Sequence, residues 1–150
     1  MEKQLILYVV LGPPGSGKGT QSALLARKSG YHRIVIGDLR REFIKGASAQ
    51  AREDKKRYDK GIPGPDELIG RLFKAELQKL QNEPGIVLDT FPLSMGQVEI
   101  LDEVIAQFGI QNFRVIFLNV SKDEVVKRIS SRKICENCRK NLFLKCIRLC

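Results

Sequence analysis

Tryptophan is absent from this sequence of 150 residues, tyrosine occurs three times and histidine once. Large aromatic side chains are the platforms on which nucleic-acid bases stack, so their scarcity argues against a nucleic-acid-binding protein despite a net charge of +9. No apolar run is long enough to cross a membrane. The apolar stretch 5–11 is short and runs directly into a glycine-rich loop, which argues against a signal peptide. We therefore expect a cytoplasmic protein that binds neither nucleic acid nor membranes, with the lone His32 structural or exposed.

Cysteine is also scarce, and all four cysteines follow residue 134. In a cytoplasmic protein they are better explained as metal ligands or free thiols than as disulfides. Cys135 and Cys138 have the spacing of half a zinc site. Seven residues separate this pair from the second pair, Cys146 and Cys150. A four-cysteine zinc site is one interpretation. The other is an incomplete site with two incidental cysteines.

The most informative segment is residues 12–20, Gly-Pro-Pro-Gly-Ser-Gly-Lys-Gly-Thr, which follows the apolar run 5–11. Glycines let successive backbone N–H groups point at an anion, and a helix N-terminus adds positive charge. Lys18 is placed to reach the β- and γ-phosphates of a nucleotide, and the Thr20 hydroxyl to lie near the phosphates and Mg²⁺. Gly19 breaks the strict G-x-x-x-x-G-K-[ST] pattern, and the dinucleotide pattern G-x-G-x-x-G is not met.

The segment therefore predicts a nucleoside triphosphate site, and the alternative is an ordinary turn from strand to helix. The predicted ATP-binding residues in this loop are Gly15, Ser16, Gly17, Lys18, Gly19 and Thr20.

Apolar periodicity predicts an α/β fold, with a parallel sheet covered by helices on both faces. A hydrophobic fraction of 43% and a charged fraction of 29% are those of a single globular domain. Gly85 and Gly109 are expected to end helices, and Ser121 to open one as its N-cap. The predicted strands are 5–11, 34–36, 86–89 and 114–120. The predicted helical stripes are Ile69, Leu72, Phe73, Leu77 and Leu80; Val98, Leu101, Val104, Ile105 and Phe108; and Val125, Val126 and Ile129.

Residues 46–66 depart from this alternation because they are polar and rich in turn residues. The charge run 52–57 is most simply one solvated helix face. We expect this segment to form a small helical lobe over the edge of the sheet.

Five motifs in order resemble those of adenylate kinases, and more broadly of nucleoside monophosphate kinases, over about residues 5–138. The motifs are 12–20, 37–41, 61–68, 89–92 and 128–135. The resemblance implies a P-loop fold, one domain over 1–150 with a monophosphate-binding insertion at 37–66 and a partial lid at 132–150. It also implies transfer of a phosphoryl group from MgATP to AMP.

On the triphosphate side, the resemblance implies four catalytic residues: Lys18, Asp89, Arg128 and Arg132. Asp89 would orient Mg²⁺ through its water shell, and its alternative role is a turn cap. Arg128 would also contact ATP. The two arginines are four residues apart on one helical face, and their alternative is a solvated basic surface.

On the monophosphate side, the resemblance implies that Arg41 clamps the AMP phosphate, with Asp38 assisting or capping its helix. Arg40 stands beside Arg41, so the choice between the two stays open. Gln97 would read the AMP base, and it also completes a capping box with Ser94. The remaining predicted AMP-site residues are Ile36, Gly64 and Phe91.

Three departures from the family pattern fall on this monophosphate side. The motif Asp-Gly-Phe-Pro-Arg ends here in Leu93, which cannot carry charge. Ile36 replaces a threonine, and Gly64 reduces the apolar wall expected for adenine. The sequence also ends inside the expected lid, before two further catalytic arginines of the family.

Two hypotheses follow from these departures. One is a nucleoside monophosphate kinase that uses MgATP and AMP, with impaired transfer. The other is an ATP-binding pseudoenzyme or truncated fragment without transfer. A lesser alternative is a kinase whose small acceptor is not AMP. We expect a monomer, with an open sheet edge available for self-association.

Overall fold

The computed structural model describes residues 5–80, 82–134 and 141–142. Four strands form one parallel sheet, in the spatial order β2-β3-β1-β4. They are β1 Ile6–Leu11, β2 His32–Val35, β3 Gly85–Asp89 and β4 Asn112–Phe117. The helices are α1 Lys18–Ser29, α2 Ile36–Phe43, α3 Ala49–Asp59, α4 Asp66–Lys79, α5 Met95–Gln107 and α6 Lys122–Ser130. Both the α/β class and the parallel sheet are as the periodicity predicts.

Alternate residues of the central strands face two separate apolar clusters. Leu7 and Val9 of β1 belong to the larger cluster, which is filled from α4 and α5. Val10 belongs to the smaller cluster, where Ala26 of α1 packs. Strand β3 is buried at all five positions, because helices cover it on both faces. The predicted two-sided covering of the sheet is therefore confirmed for β1 and β3.

The structure corrects three details at the ends of the strands. Ile36 begins α2 instead of ending β2, and residues 118–120 lie beyond β4. Gly85, expected to end a helix, is the first residue of β3, where a Cβ would meet the Tyr31 ring at 2.6 Å. Gly109 does follow the end of α5, with φ +59°. Glycine is therefore required for different reasons at the two positions: Gly85 allows close packing, and Gly109 allows a left-handed turn.

The polar lobe is made of α2, α3 and the segment that leads into α4. Its charge run lies mostly on the exposed face of α3, as expected, but Asp54 points inward and is only 3% exposed. Arg40 of α2 binds it with two hydrogen bonds, from Nε at 2.8 Å and from Nη2 at 2.9 Å. The same guanidinium donates to the Ile62 carbonyl at 3.1 Å. One buried ion pair therefore joins all three parts of the lobe.

Helix α6 contains the short stripe of apolar residues predicted from their spacing, but it is a surface helix. None of its residues is buried, and Val126 and Ile129 are 55% and 44% exposed. Its N-cap is Ser121, as predicted, whose hydroxyl accepts from the Glu124 amide. No described helix has the length and apolar character needed to cross a membrane.

Residues beyond α6 include a two-stranded antiparallel ladder, β5 Lys133–Ile134 with β6 Asn141–Leu142. The predicted zinc ligands Cys135, Cys138, Cys146 and Cys150 lie outside the described residues. The four-cysteine zinc site stays a prediction.

Candidate active site

The loop 12–17 between β1 and α1 has the backbone conformation that glycine permits. Gly12, Gly15 and Gly17 have φ values of +150°, +77° and +94°. A residue with a side chain would be strained at each of them. Ser16 is buried, and its hydroxyl has no hydrogen-bond partner among the described atoms. The loop therefore places one unsatisfied hydroxyl immediately before the N-terminus of α1.

Lys18 is the first residue of α1, and its ammonium group folds back over the loop. Its Nζ donates to the carbonyls of Gly12 at 2.8 Å and Pro13 at 3.0 Å. Burial lowers the pKa of Lys18, the Asp89 carboxylate opposes that effect, and the charge of Arg132 adds to it. The charges of Asp89 and Arg132 therefore both act on the ammonium group of Lys18.

Asp89 ends β3 beneath the first turn of α1 and is only 2% exposed. Its Oδ2 accepts from the Arg33 guanidinium at 2.5 Å and from the Ser22 hydroxyl at 2.7 Å. Its Oδ1 accepts from the Thr90 hydroxyl at 2.8 Å. Arg33 also donates from Nε to Ser22 at 2.9 Å. The carboxylate is thus the centre of a closed network joining β2, β3 and α1.

Helix α6 lies against the loop 12–17 at Gly15. A Cβ on Gly15 would be 3.1 Å from Ile129 Cγ1 and 3.6 Å from Arg128 Cβ. Arg128 donates from Nε to Glu124 at 2.6 Å, and this hydrogen bond lowers the pKa of the glutamate. Arg128 is consequently placed beside the loop. Arg132 lies beyond the end of α6 at Ser130, so the two arginines do not share one helical face as expected.

An open cavity of about 760 Å³ adjoins Lys18 at the C-terminal ends of β1 and β4. Thr90 lines it, whereas Asp89 is not among its lining residues. Leu93 also lines it and is 69% exposed, at the position where the family motif has arginine. Thr90 has φ +63°, a strained value for a β-branched residue, at the position where that motif has glycine.

Arg41, predicted to clamp a monophosphate, is an exposed residue of α2. It is ion-paired with Asp38, another predicted residue of this helix. Burial acts to lower the pKa of Arg41, but hydrogen bonds to Asp38 and Tyr58 outweigh it and raise the pKa. Since Arg40 is committed to Asp54, Arg41 is the arginine that faces solvent. Arg41 is therefore the more available of the two arginines, and its role as a phosphate clamp stays a prediction.

Gln97 is buried, and both ends of its amide have protein partners. Its Nε2 donates to Asp66 at 2.8 Å, and its Oε1 accepts from the Leu93 amide at 2.8 Å. Ser94 caps α5 by accepting from the Gln97 amide at 3.1 Å. Gln97 is therefore held in the capping arrangement, and base reading by its side chain stays a prediction.

Two of the predicted AMP-site residues have side chains that face the core. Phe91 has no exposed surface and packs on Phe73 with ring centroids 5.0 Å apart. Ile36 is 6% exposed in the same apolar cluster. Their side chains therefore contribute to the apolar core, and a contact of either residue with AMP stays a prediction. Gly64 packs so closely that a Cβ would be 2.9 Å from Ile69, which occupies the space expected for a wall residue.

Sequence reasoning missed Arg33 and Ser22, the two partners that Asp89 takes from β2 and α1. Arg33 is polar within a short strand, and a charged residue on a covered strand needs a partner. That signal was present in the sequence, but it does not identify which carboxylate is the partner. Within the described part of the chain, no group of three or more His, Cys, Asp or Glu side chains is arranged to hold a metal ion.

Comparison with known proteins agrees with this arrangement of motifs. A family model described as adenylate kinase matches residues 10–143. The adenylate kinase of Chlamydia pneumoniae is 37% identical over 132 residues, which cover 88% of this chain and 62% of the relative. That of Archaeoglobus fulgidus is 39% identical over 130 residues, covering 87% and 60%. That of Borrelia garinii subsp. bavariensis is 37% identical over 135 residues, covering 90% and 61%.

The chain thus spans about 60% of the length of the curated relatives that it matches. The family model nevertheless covers the end of β1 and the other three strands of the parallel sheet. It also covers the loop 12–17 and the residues around Lys18 and Asp89. This chain belongs to the adenylate kinase family.

Proposed function

We propose that this chain binds ATP at the loop 12–20 and transfers its γ-phosphoryl group to a nucleoside monophosphate, AMP being the acceptor. The observation that carries the proposal is the position of Lys18. Its ammonium group lies over a loop of left-handed glycines and within the electrostatic influence of Arg132. A fixed cation, converging amides and a helix N-terminus are the combination that binds a polyphosphate.

In such a transfer, the protein contributes position and charge more than covalent chemistry. The loop amides and Lys18 would hold the β- and γ-phosphates in place. Arg128 and Arg132 would neutralise the charge that develops on the transferring group. Arg41 would hold the phosphate of the acceptor, so that an acceptor oxygen attacks in line as the bond to ADP breaks.

A second candidate is an ATP-binding protein without transfer, and Leu93 favours it. An arginine at this position would add a cation to the cavity beside Lys18, whereas Leu93 is exposed there without charge. The Gln97 amide is also occupied by Asp66. Each of these features weakens the predicted site for the monophosphate and leaves the residues predicted to bind ATP unchanged.

The deciding experiment measures ADP formed from ATP and AMP by the purified chain, with Lys18→Ala as the background. We expect activity above that background. Activity equal to the background, together with retained ATP binding, would assign the chain to the second candidate. Because the relatives are longer, the comparison should include the same assay on any longer product of the gene.

Restoring the charge at position 93 is expected to strengthen AMP binding. A charge-assisted hydrogen bond contributes about 1.5–3 kcal/mol, so Leu93→Arg should lower the AMP dissociation constant by about tenfold or more. Titration calorimetry with AMP measures the effect. Met95→Arg is the matched control, because Met95 is 74% exposed and lines the same cavity. If both variants lowered the AMP dissociation constant equally, the added charge alone would explain the effect. Position 93 would then not be the one that contacts the phosphate of AMP.

The family resemblance further implies Mg²⁺ bound with ATP and positioned by Asp89. In the structure Asp89 is 2% exposed and accepts hydrogen bonds on both carboxylate oxygens, one of them from a guanidinium. A carboxylate offers about four acceptor positions, so these bonds leave room for a further one from a water of a hydrated cation. The role of Asp89 toward Mg²⁺ stays a prediction.

A further inference from the structure

The side-chain amide of Gln97 is held at both ends, and its orientation decides which base it can read. We propose that Asp66 is a positioning residue that fixes the Gln97 amide, so that the acceptor site selects a 6-amino purine over a 6-oxo purine. The inference rests on the proposed function and names the residue that sets its base specificity.

The two partners of the Gln97 side chain allow only one orientation of its amide. The Leu93 backbone N–H can only donate, and its nitrogen lies 2.8 Å from Oε1. An ionised carboxylate can only accept, and Oδ1 of Asp66 lies 2.8 Å from Nε2. Rotating the amide by half a turn would set its nitrogen against an N–H and its oxygen against a carboxylate. Gln97 is only 6% exposed, so solvent would relieve neither contact.

Asp66 is itself held in place, as a positioning residue must be. It is the first residue of α4, directly after the polar lobe. Its Oδ2 accepts from the Ser94 hydroxyl at 2.8 Å, and that hydroxyl accepts from the Gln97 backbone amide at 3.1 Å. A Cβ on Gly96 would be 2.7 Å from Oδ2, so the carboxylate lies directly against the first turn of α5. Asp66, Ser94 and Gln97 therefore form one closed network between the starts of α4 and α5.

The held amide keeps the hydrogen-bonding capacity that base reading needs. The bonds to Asp66 and Leu93 use one N–H of Nε2 and one lone pair of Oε1, and the amide has a second of each. Adenine offers a donor on its 6-amino group and an acceptor at N1, whereas the hypoxanthine of IMP offers an acceptor at O6 and a donor at N1. A freely rotating amide matches both patterns, but a fixed amide matches only one. With AMP as the acceptor, the fixed orientation is the one that matches adenine.

The test measures the dissociation constants of AMP and IMP by titration calorimetry, because these nucleotides differ only at position 6 and N1. For the wild-type chain, IMP should bind about tenfold or more weaker than AMP. Asp66→Asn keeps the size of the side chain but can donate to the oxygen of a rotated Gln97 amide. The ratio of the two constants should then fall to about threefold or less. Glu67→Gln is the matched control, because it also removes an acidic charge from the first turn of α4, and it should keep the wild-type ratio.

The ratio separates positioning from a purely structural role, since damage to the fold weakens the binding of both nucleotides alike. A wild-type chain that binds IMP as tightly as AMP, or an Asp66→Asn ratio equal to that of the wild type, overturns the role of Asp66 and leaves the acceptor site standing. A wild-type chain that binds neither nucleotide overturns the acceptor site as well. Should Asp66→Asn fail to fold, Asp66→Ser decides in its place, because it also removes the carboxylate that holds Nε2 and should lower the ratio likewise.

Discussion

Lys18→Ala is expected to lose the thermal stabilisation that ATP gives to the wild-type chain. At an ATP concentration one hundred times the dissociation constant, binding stabilises a protein by about 2.7 kcal/mol. For a domain of this size, that corresponds to an increase in Tm of about 5–10 °C. Lys18 is the cation directly over the glycine loop, with its ammonium group 2.8 Å from the Gly12 carbonyl. A hundredfold weaker complex would retain about 0.4 kcal/mol, or a shift of about 1 °C.

Differential scanning fluorimetry with and without ATP measures this shift. Lys28→Ala is the matched control, because Lys28 is an exposed lysine in the last turn of the same helix. It should keep the full shift. An undiminished shift in Lys18→Ala would place ATP somewhere other than the loop 12–20, and it would remove the basis of the proposed function.

Asp54→Asn is expected to cause the largest loss of stability among the substitutions considered. The carboxylate is 3% exposed and is the partner of two guanidinium hydrogen bonds from Arg40, at 2.8 and 2.9 Å. Removing one member of a buried ion pair leaves the other charge uncompensated, at a cost of about 3–5 kcal/mol. Tyr58 cannot replace the lost charge, although Arg40 lies 5.2 Å from the centre of its ring.

Urea denaturation monitored by circular dichroism gives the free energy of unfolding for this comparison. Asp59→Asn serves as the control, because its pair with Lys55 is 2.7 Å long but both side chains are 56% exposed. Exposed pairs contribute about 0.2–1 kcal/mol, so the two variants should differ severalfold. If they lose the same small amount, the Arg40–Asp54 pair does not hold the lobe together.

The parts of this molecule that the sequence predicts well are those encoded by consecutive residues. The loop 12–20 is such a segment, and its glycines do adopt left-handed backbone conformations at Gly12, Gly15 and Gly17. The N-caps at Ser94 and Ser121 are further examples, because a capping box spans only four residues. Local chemistry is sufficient to specify each of these features.

The parts that the sequence predicts poorly depend on partners far away in the chain. The helical spacing of Val126 and Ile129 indicates an apolar face but does not say how far another element covers it. In the described structure both side chains stay about half exposed, although Ile129 contacts the loop at Gly15. Phe91 and Ile36 were assigned to a ligand site by motif position, yet the core takes both side chains. The pairing of Arg40 with Asp54 could not be predicted either, because the two residues meet only in the tertiary structure.

The Asp89 network also has a consequence for folding. Arg33 and Ser22 are 56 and 67 residues away from Asp89 along the chain, so their contacts can form only after long segments have been ordered. The loop 12–17 leads directly into α1, and this network holds α1 against the sheet through Ser22. In an incompletely folded chain, α1 is not yet held against the sheet, so the loop 12–17 lacks its folded conformation. ATP would therefore bind selectively to molecules in which β2 and β3 are already paired.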